Sequence, residues 1–155
     1  ADAAGISIRT VFRQMEDIET LFFKMDEKIK HSYKKVIDSV EPKGNLLDRI
    51  HGLINLEKKI FEDNLQFIRS TLGIKFKYKT LQNNHQKADK DLKLLLYKWL
   101  PEMNNLDNSL QILLNSMNSV GYWIELRENQ MLSAKDATKL KVNIFKNTLL
   151  EKLTK

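Results

Sequence analysis

The chain has 155 residues, 42% of them hydrophobic and 30% charged, which suits one domain with a buried core and excludes a compositionally disordered chain. It contains no cysteine, so disulfides, zinc–thiolate sites and thiol catalysis are excluded together. Five glycines and two prolines are too few for the many turns of an all-β domain, and the formal net charge is +6.

Nowhere does the chain hold a run of about 18 apolar residues, so no segment reads as membrane-spanning. Its start, Ala1-Asp2-Ala3-Ala4-Gly5, lacks the basic region of a signal peptide and reads as a linker or remnant. The native chain is therefore expected to begin earlier, with its targeting information outside residues 1–155. The charge is unevenly placed. Residues 1–74 hold 12 basic and 12 acidic side chains, whereas residues 75–155 hold 14 basic and 8 acidic and supply the whole excess. A basic half suits an acidic partner, whether protein, nucleic acid or membrane surface. A lysine-rich surface that only keeps the domain soluble is the alternative. Lysine outnumbers arginine 21 to 5, beside 13 asparagines, a bias expected from an AT-rich genome.

Taken in chain order, the first predicted helix carries Ile8, Val11, Phe12, Met15, Ile18, Phe22, Met25, Ile29, Val36, Ile37 and Val40 in steps of three and four, one apolar stripe at the helical period. Ser7 is placed to cap it, and Glu41-Pro42-Lys43-Gly44 ends it. Thirty-odd helical residues extend on the order of 50 Å, and a stripe that long calls for partners along all of it. A second helix runs from about Asn45 to Leu72 through Leu46, Ile50, Leu53, Ile54, Ile60, Phe61, Leu65 and Ile68, with Gly73 as its stop. Ile74-Lys75-Phe76-Lys77-Tyr78-Lys79 alternates like a strand, but a lone strand has nothing to pair with, so the segment is read as leading into a third helix. That helix continues through Leu81, Ala88, Leu92, Leu95, Leu96 and Trp99 to Pro101.

A fourth helix takes Met103, Leu106, Leu110, Leu113, Leu114, Met117 and Val120 before Gly121 interrupts it, as a bend or as the start of a short further element at Trp123, Ile124 and Leu126. Ser133-Ala134-Lys135-Asp136 resembles a capping box opening a last helix through Ala137, Leu140, Ile144, Phe145, Leu149 and Leu153. Short loops make sequential helices antiparallel neighbours. The expected fold is all-α: a single domain over residues 1–155, an up-and-down antiparallel bundle of four to five long helices, with residues 1–5 as linker.

His31, His51 and His85 fall one to a helix, outside any H-E-x-x-H or Glu-x-x-His pair, so no metal site is expected. Carboxylates such as Glu57 and Asp89 sit among lysines at helical spacing and read as partners in surface ion pairs rather than as acid–base catalysts. There is no phosphate-binding glycine loop and no G-x-S-x-G elbow. Neither an enzyme nor a cofactor is expected.

Two basic clusters remain. Lys28, Lys30, His31, Lys34 and Lys35 lie near the end of the first helix. Lys75, Lys77, Lys79, Lys87, Lys90, Lys93 and Lys98 run down the third, with Tyr78, Tyr97 and Trp99 interleaved. Such clusters serve phosphate contact and base stacking, or an acidic protein surface. The scarcity of arginine and the lack of a helix-turn-helix argue against nucleic acid. Trp99 and Trp123 are at core spacing. Gly121-Tyr122-Trp123 reads as an aromatic corner, either exposed or closing one end of the core.

Thr20-Leu21-Phe22, the pair Tyr97-Lys98, and Ser109-Leu110 followed by Gly121-x-Trp123 resemble segments of the helical C-terminal domains of spirochaete surface lipoproteins. The nearest family is the fibronectin-binding lipoproteins of Lyme-disease spirochaetes, with the Erp/Elp outer-surface lipoproteins as a related alternative. The resemblance implies a lipid-anchored protein of the bacterial outer membrane that binds a host protein. In that family basic side chains occupy the acidic substrate-binding region of the proteases of complement component one. The resemblance carries over to Lys98, after Tyr97, and to Lys34, where lysine stands for the family's arginine. With the clusters and the corner, the partner-binding candidates are Lys34, Lys35, Lys93, Tyr97, Lys98 and Tyr122. The competing expectations are an intracellular assembly bundle of the cytoplasm and a nucleic-acid binder.

Overall fold

The computed structural model describes residues 8–153, and among them there are six α-helices and no strand. They are α1 (Ile8–Asp38), α2 (Leu46–Leu72), α3 (Lys79–Trp99), α4 (Asn108–Met117), α5 (Val120–Ile124) and α6 (Ala134–Leu153). Short 3-10 turns at Lys75–Lys77 and Pro101–Asn105 flank α3, and a π turn, Glu125–Asn129, continues α5. The expected linker at residues 1–5 and the cap at Ser7 lie outside the described residues, as do the side chains of Ile8, Val11, Phe12, Met15 and Leu153.

The helix starts follow local chemistry. Asn45 Oδ1 accepts from the Asp48 amide at 3.0 Å, and the Asp48 carboxylate accepts from the Asn45 amide at 3.1 Å, a reciprocal box that satisfies two otherwise unpaired donors. Just before it, Gly44 has φ +86°, and a Cβ there would also meet Asp48 Oδ2 at 2.6 Å, so glycine is needed at this turn. Asp107 caps α4 by accepting from the Leu110 amide, and Ser133 caps α6 by accepting from the Asp136 amide at 3.1 Å. Gly73 ends α2 as expected, but in right-handed geometry.

The segment after Gly73 leads into the third helix as expected, with a 3-10 turn at Lys75–Lys77 before α3 begins at Lys79. Two expectations are corrected. Met103 and Leu106 do not open the fourth helix. Pro101 cannot continue a ladder, so the chain makes a 3-10 turn and restarts at the Asp107 cap. Gly121 is not the interruption either. The break falls at Asn118-Ser119, where Ser119 Oγ accepts from the Tyr122 amide at 3.2 Å and starts α5, with Gly121 inside it. The described helices therefore number six rather than four to five.

The core is built on α2. Ile50, Leu53, Ile54, Ile60 and Phe61 are buried against Leu95, Leu96 and Trp99 of α3, Leu114 and Met117 of α4, Trp123 of α5, and Ala137, Phe145 and Leu149 of α6. Gly52 lets the Trp99 ring lie flush on α2, since a Cβ there would run into it. Both tryptophans are in the core, as their spacing predicted. Contacts at opposite ends set directions: Arg49 meets Trp99 while Thr71 meets His85, so α2 and α3 run antiparallel. Likewise Arg69 meets Glu128 just before α6 and Glu57 meets Lys141 within it, so α6 also runs against α2.

Helix α1 is held less completely. Tyr33, Val36 and Ile37 pack on the core, and Phe22 reaches Tyr78 at 6.0 Å between ring centroids. Ile18, Leu21, Phe23 and Met25 remain exposed, Leu21 to 56%. Among the described residues of the predicted stripe, Val36 and Ile37 pack on the core, whereas Ile18, Met25 and Val40 are exposed.

Candidate functional site: a lysine-lined groove between α1 and α3

The two basic clusters of the sequence meet in part. Lys30, His31 and Lys34 of α1 and Lys87 and Lys98 of α3 line one groove of about 640 Å³, together with Glu27, Asp38, Asp91 and the exposed Leu94. On α3, residues 87, 91, 94 and 98 recur in steps of three and four, so they share the face turned toward α1. Lys30 is tied to its own helix by ion pairs with Asp26 and, at 3.8 Å, with Glu27. Lys34, Lys87 and Lys98 enter no ion pair among the described residues. Four ammonium groups face three carboxylates, so the groove is a mixed-charge surface with a small positive excess. At its base the Tyr33 phenol is pushed up to about 12, by burial first and then by the negative charges of Asp26, Asp91 and Glu27, so it keeps its proton as a hydrogen-bond donor.

Of the six candidates, the groove unites Lys34 and Lys98 and leaves out the other four. Tyr97 and Lys93 lie on the side of α3 that faces α4. The Tyr97 hydroxyl donates to Gln111 Oε1 at 2.9 Å, and Lys93 Nζ stands 5.9 Å from the Tyr97 ring centroid, over its own neighbouring turn. Lys93 also lines a separate hollow of about 320 Å³ with Ile112, Asn115 and Ser116. Lys35 is exposed outside both spaces. Tyr122 is half-buried against the core, and burial raises its phenol pKa. Adjacent helical residues point about 100° apart, which separates Tyr97 from Lys98 although they are neighbours in sequence.

The reading of Glu57 as a surface ion-pair partner is overturned. Glu57 and Lys141 are 1% and 0% exposed, and Lys141 Nζ donates to Glu57 Oε2 at 2.5 Å. The ammonium also sits 5.9 Å from the ring centroids of both Phe61 and Trp123. Burial raises the Glu57 pKa and outweighs the opposing pull of Lys141, and Glu57 Oε1 is left unpaired. The signal was present in the stripes. Leu53-Glu57-Phe61 and Ala137-Lys141-Phe145 each place a charge, of opposite sign, between two buried apolar residues at four-residue spacing.

Two partly exposed networks accompany this pair. Glu62 accepts from Arg127 Nε and from Trp123 Nε1, each at 2.8 Å, and Arg127 also donates to the Leu132 carbonyl. Arg49 donates to Glu102 and, at 3.0 Å, to the Trp99 carbonyl. The Arg127 hydrogen bond holds the Glu62 carboxyl below its usual range, aided by Trp123, and Arg49 does the same for Glu102. None of these carboxylates borders the lysine groove.

Glu57→Leu alone should cost about 3–5 kcal/mol in urea unfolding, because it leaves Lys141 buried without a counter-charge. Adding Lys141→Met should recover most or all of that loss, and a double variant no more stable than the single one would contradict the pairing. The lowered Glu62 pKa has a definite sign. Its stabilisation is fully present above the ordinary glutamate value near 4.3 and is lost as pH falls through the lower folded value. In Glu62→Gln the fall of stability between about pH 5 and pH 3 should be shallower than in the unaltered protein, measured by thermal unfolding at each pH.

Comparison with known protein families, with curated proteins and with solved structures finds no match to this chain.

Proposed function

We propose that this chain is a non-enzymatic binding module of a bacterial surface, which engages a host protein through the groove between α1 and α3. In this reading the target is a protease of complement component one, held inhibited in the interest of immune evasion. The observation that supports it is the shared lining: Lys34 and Lys98, far apart in sequence, belong to one groove, and with Lys87 they carry charges not neutralised within the described residues. Ammonium groups around an exposed leucine can meet a partner that offers carboxylates beside an apolar side chain. Asp38 and Asp91 add a demand for a basic group on the same partner, so recognition rests on a charge pattern rather than on bulk positive charge. The scaffold in this reading is an up-and-down antiparallel bundle of five legs, with α4, α5 and the π turn forming one. Placement on the outer membrane through a lipid anchor rests on the resemblance of Tyr97-Lys98 and Gly121-x-Trp123 to the spirochaete lipoproteins.

A second reading, an assembly module, is favoured by the exposed Ile18, Leu21, Phe23 and Met25 of α1. The nucleic-acid reading gains nothing from the groove, because its three carboxylates would repel a phosphate backbone.

Two measurements separate the first two readings. With immobilised proteases of complement component one, Lys98→Glu and Lys34→Glu should each weaken binding at least about tenfold while leaving helical circular dichroism intact. Raising the salt concentration should weaken the unaltered protein in the same direction. Equal affinity for all three proteins would remove the groove from the interface. Light scattering at about 10 µM should find a monomer; a stable oligomer that Leu21→Lys dissociates would favour assembly through α1.

A further inference from the structure

A second, partly open space lies beneath α1, where that helix meets α2 and α3. Its volume is about 100 Å³. Ile29, Ile60, Phe61, Ile68, Leu81 and Leu95 supply apolar walls, and it adjoins the lysine groove, since Tyr33, Ile37, Asp91 and Leu95 line both spaces. An apolar protein cavity of about 150 Å³ admits benzene, so this one suits a molecule of about six non-hydrogen atoms or fewer.

The polar groups of the lining narrow the chemistry. Thr71 Oγ1 lies 3.1 Å from the carbonyl oxygens of Phe67 and Ile68 and 3.1 Å from His85 Nε2. Thr71 Oγ1 and His85 Nε2 are thus each other's hydrogen-bond partners, so both are used. Asn64 Nδ2 is also used, donating to the Ile60 carbonyl at 2.7 Å. The carboxylate of Asp26 stands beside the Lys30 ammonium. Asn84 is different: it lines the space, and its Nδ2 is buried with no acceptor. Buried donors without partners are rare in folded proteins, and one that borders a cavity marks where an acceptor would fit.

We propose that the cavity between α1, α2 and α3 is a binding site for a small neutral carbonyl compound, its hydrocarbon part against the isoleucine and leucine walls and its oxygen accepting from Asn84 Nδ2. The assignment is independent of any partner in the lysine groove, because Asn84 does not line that groove.

The test uses two probes of equal heavy-atom count and similar shape, cyclopentanone and methylcyclopentane, which differ in the acceptor. Each is titrated into the folded protein while the methyl resonances of Ile29, Leu81 and Ala88 are followed by NMR. Cyclopentanone should shift these signals and bind at least tenfold more tightly than methylcyclopentane, the reverse of their order of hydrophobicity. Asn84→Leu keeps the volume and removes the donor, so the preference should vanish or invert. Ala88→Leu fills the space and should abolish binding of both. No shift with cyclopentanone, an equal or reversed preference in the unaltered protein, or binding that survives Ala88→Leu would overturn the assignment. The ligand comparison needs no variant, so it decides even if a substitution impairs folding.

Discussion

Four polar attachments fan out from α2, at residues 49, 57, 62 and 69, and the placement of its neighbours depends on them. Arg49 reaches Glu102 and the Trp99 carbonyl at the end of α3. Glu57 holds Lys141 of α6, Glu62 holds Trp123 of α5 and Arg127 of the π turn, and Arg69 holds Glu128. Apolar stripes alone tolerate sliding by a turn, since leucine packs on leucine at either register. A buried ammonium does not, because a shift of one turn would leave both Lys141 and Glu57 without a counter-charge in an apolar setting. The net stability gained from such a pair is small or negative, so its value to the fold lies in specifying one arrangement of α6 on α2.

Helix α1 shares none of these attachments. Among the described residues, Lys30 pairs within α1, and Phe22 meets Tyr78 by ring contact. Packing there is correspondingly less complete. Both the apolar-walled cavity and the lysine groove border α1, whereas the contact of α2 with α6 is closed around the buried pair. Elements with few buried apolar contacts are those that open at low free-energy cost. The same incomplete seating that weakens α1 thus creates the concave surfaces available for recognition.

The distribution of charge is also changed by folding. Along the sequence the basic excess belongs wholly to residues 75–155. In space, the lysines of α3 are divided by the helical twist, Lys87 and Lys98 toward α1 and Lys93 toward α4. Those facing α1 are joined by Lys30 and Lys34 from the electrically neutral half, and by Asp38, Asp91 and Glu27. The resulting groove has a pattern of both signs that neither half of the sequence displays by itself.

Much of this was legible in the residues. The four-residue steps of α2 and α6, the stop at Gly44 and Gly73, the cap at Ser133 and the burial of Trp99 and Trp123 all follow from interactions within one or two helical turns. The misplaced break at Gly121 was also local: Ser119 offered a cap, and its hydroxyl oxygen accepts from the Tyr122 amide at the start of α5. The meeting of Lys34 with Lys98, and their separation from Tyr97 and Lys93, depended on which faces of α1, α3 and α4 come together. So did the fate of Glu57 and Lys141, whose positions in the stripes were visible but whose pairing was not. The helical period is a property of the backbone and can be read from any short window. The choice of facing surfaces is made only when the whole chain has buried its stripes, and that choice decided where the charges of this protein lie.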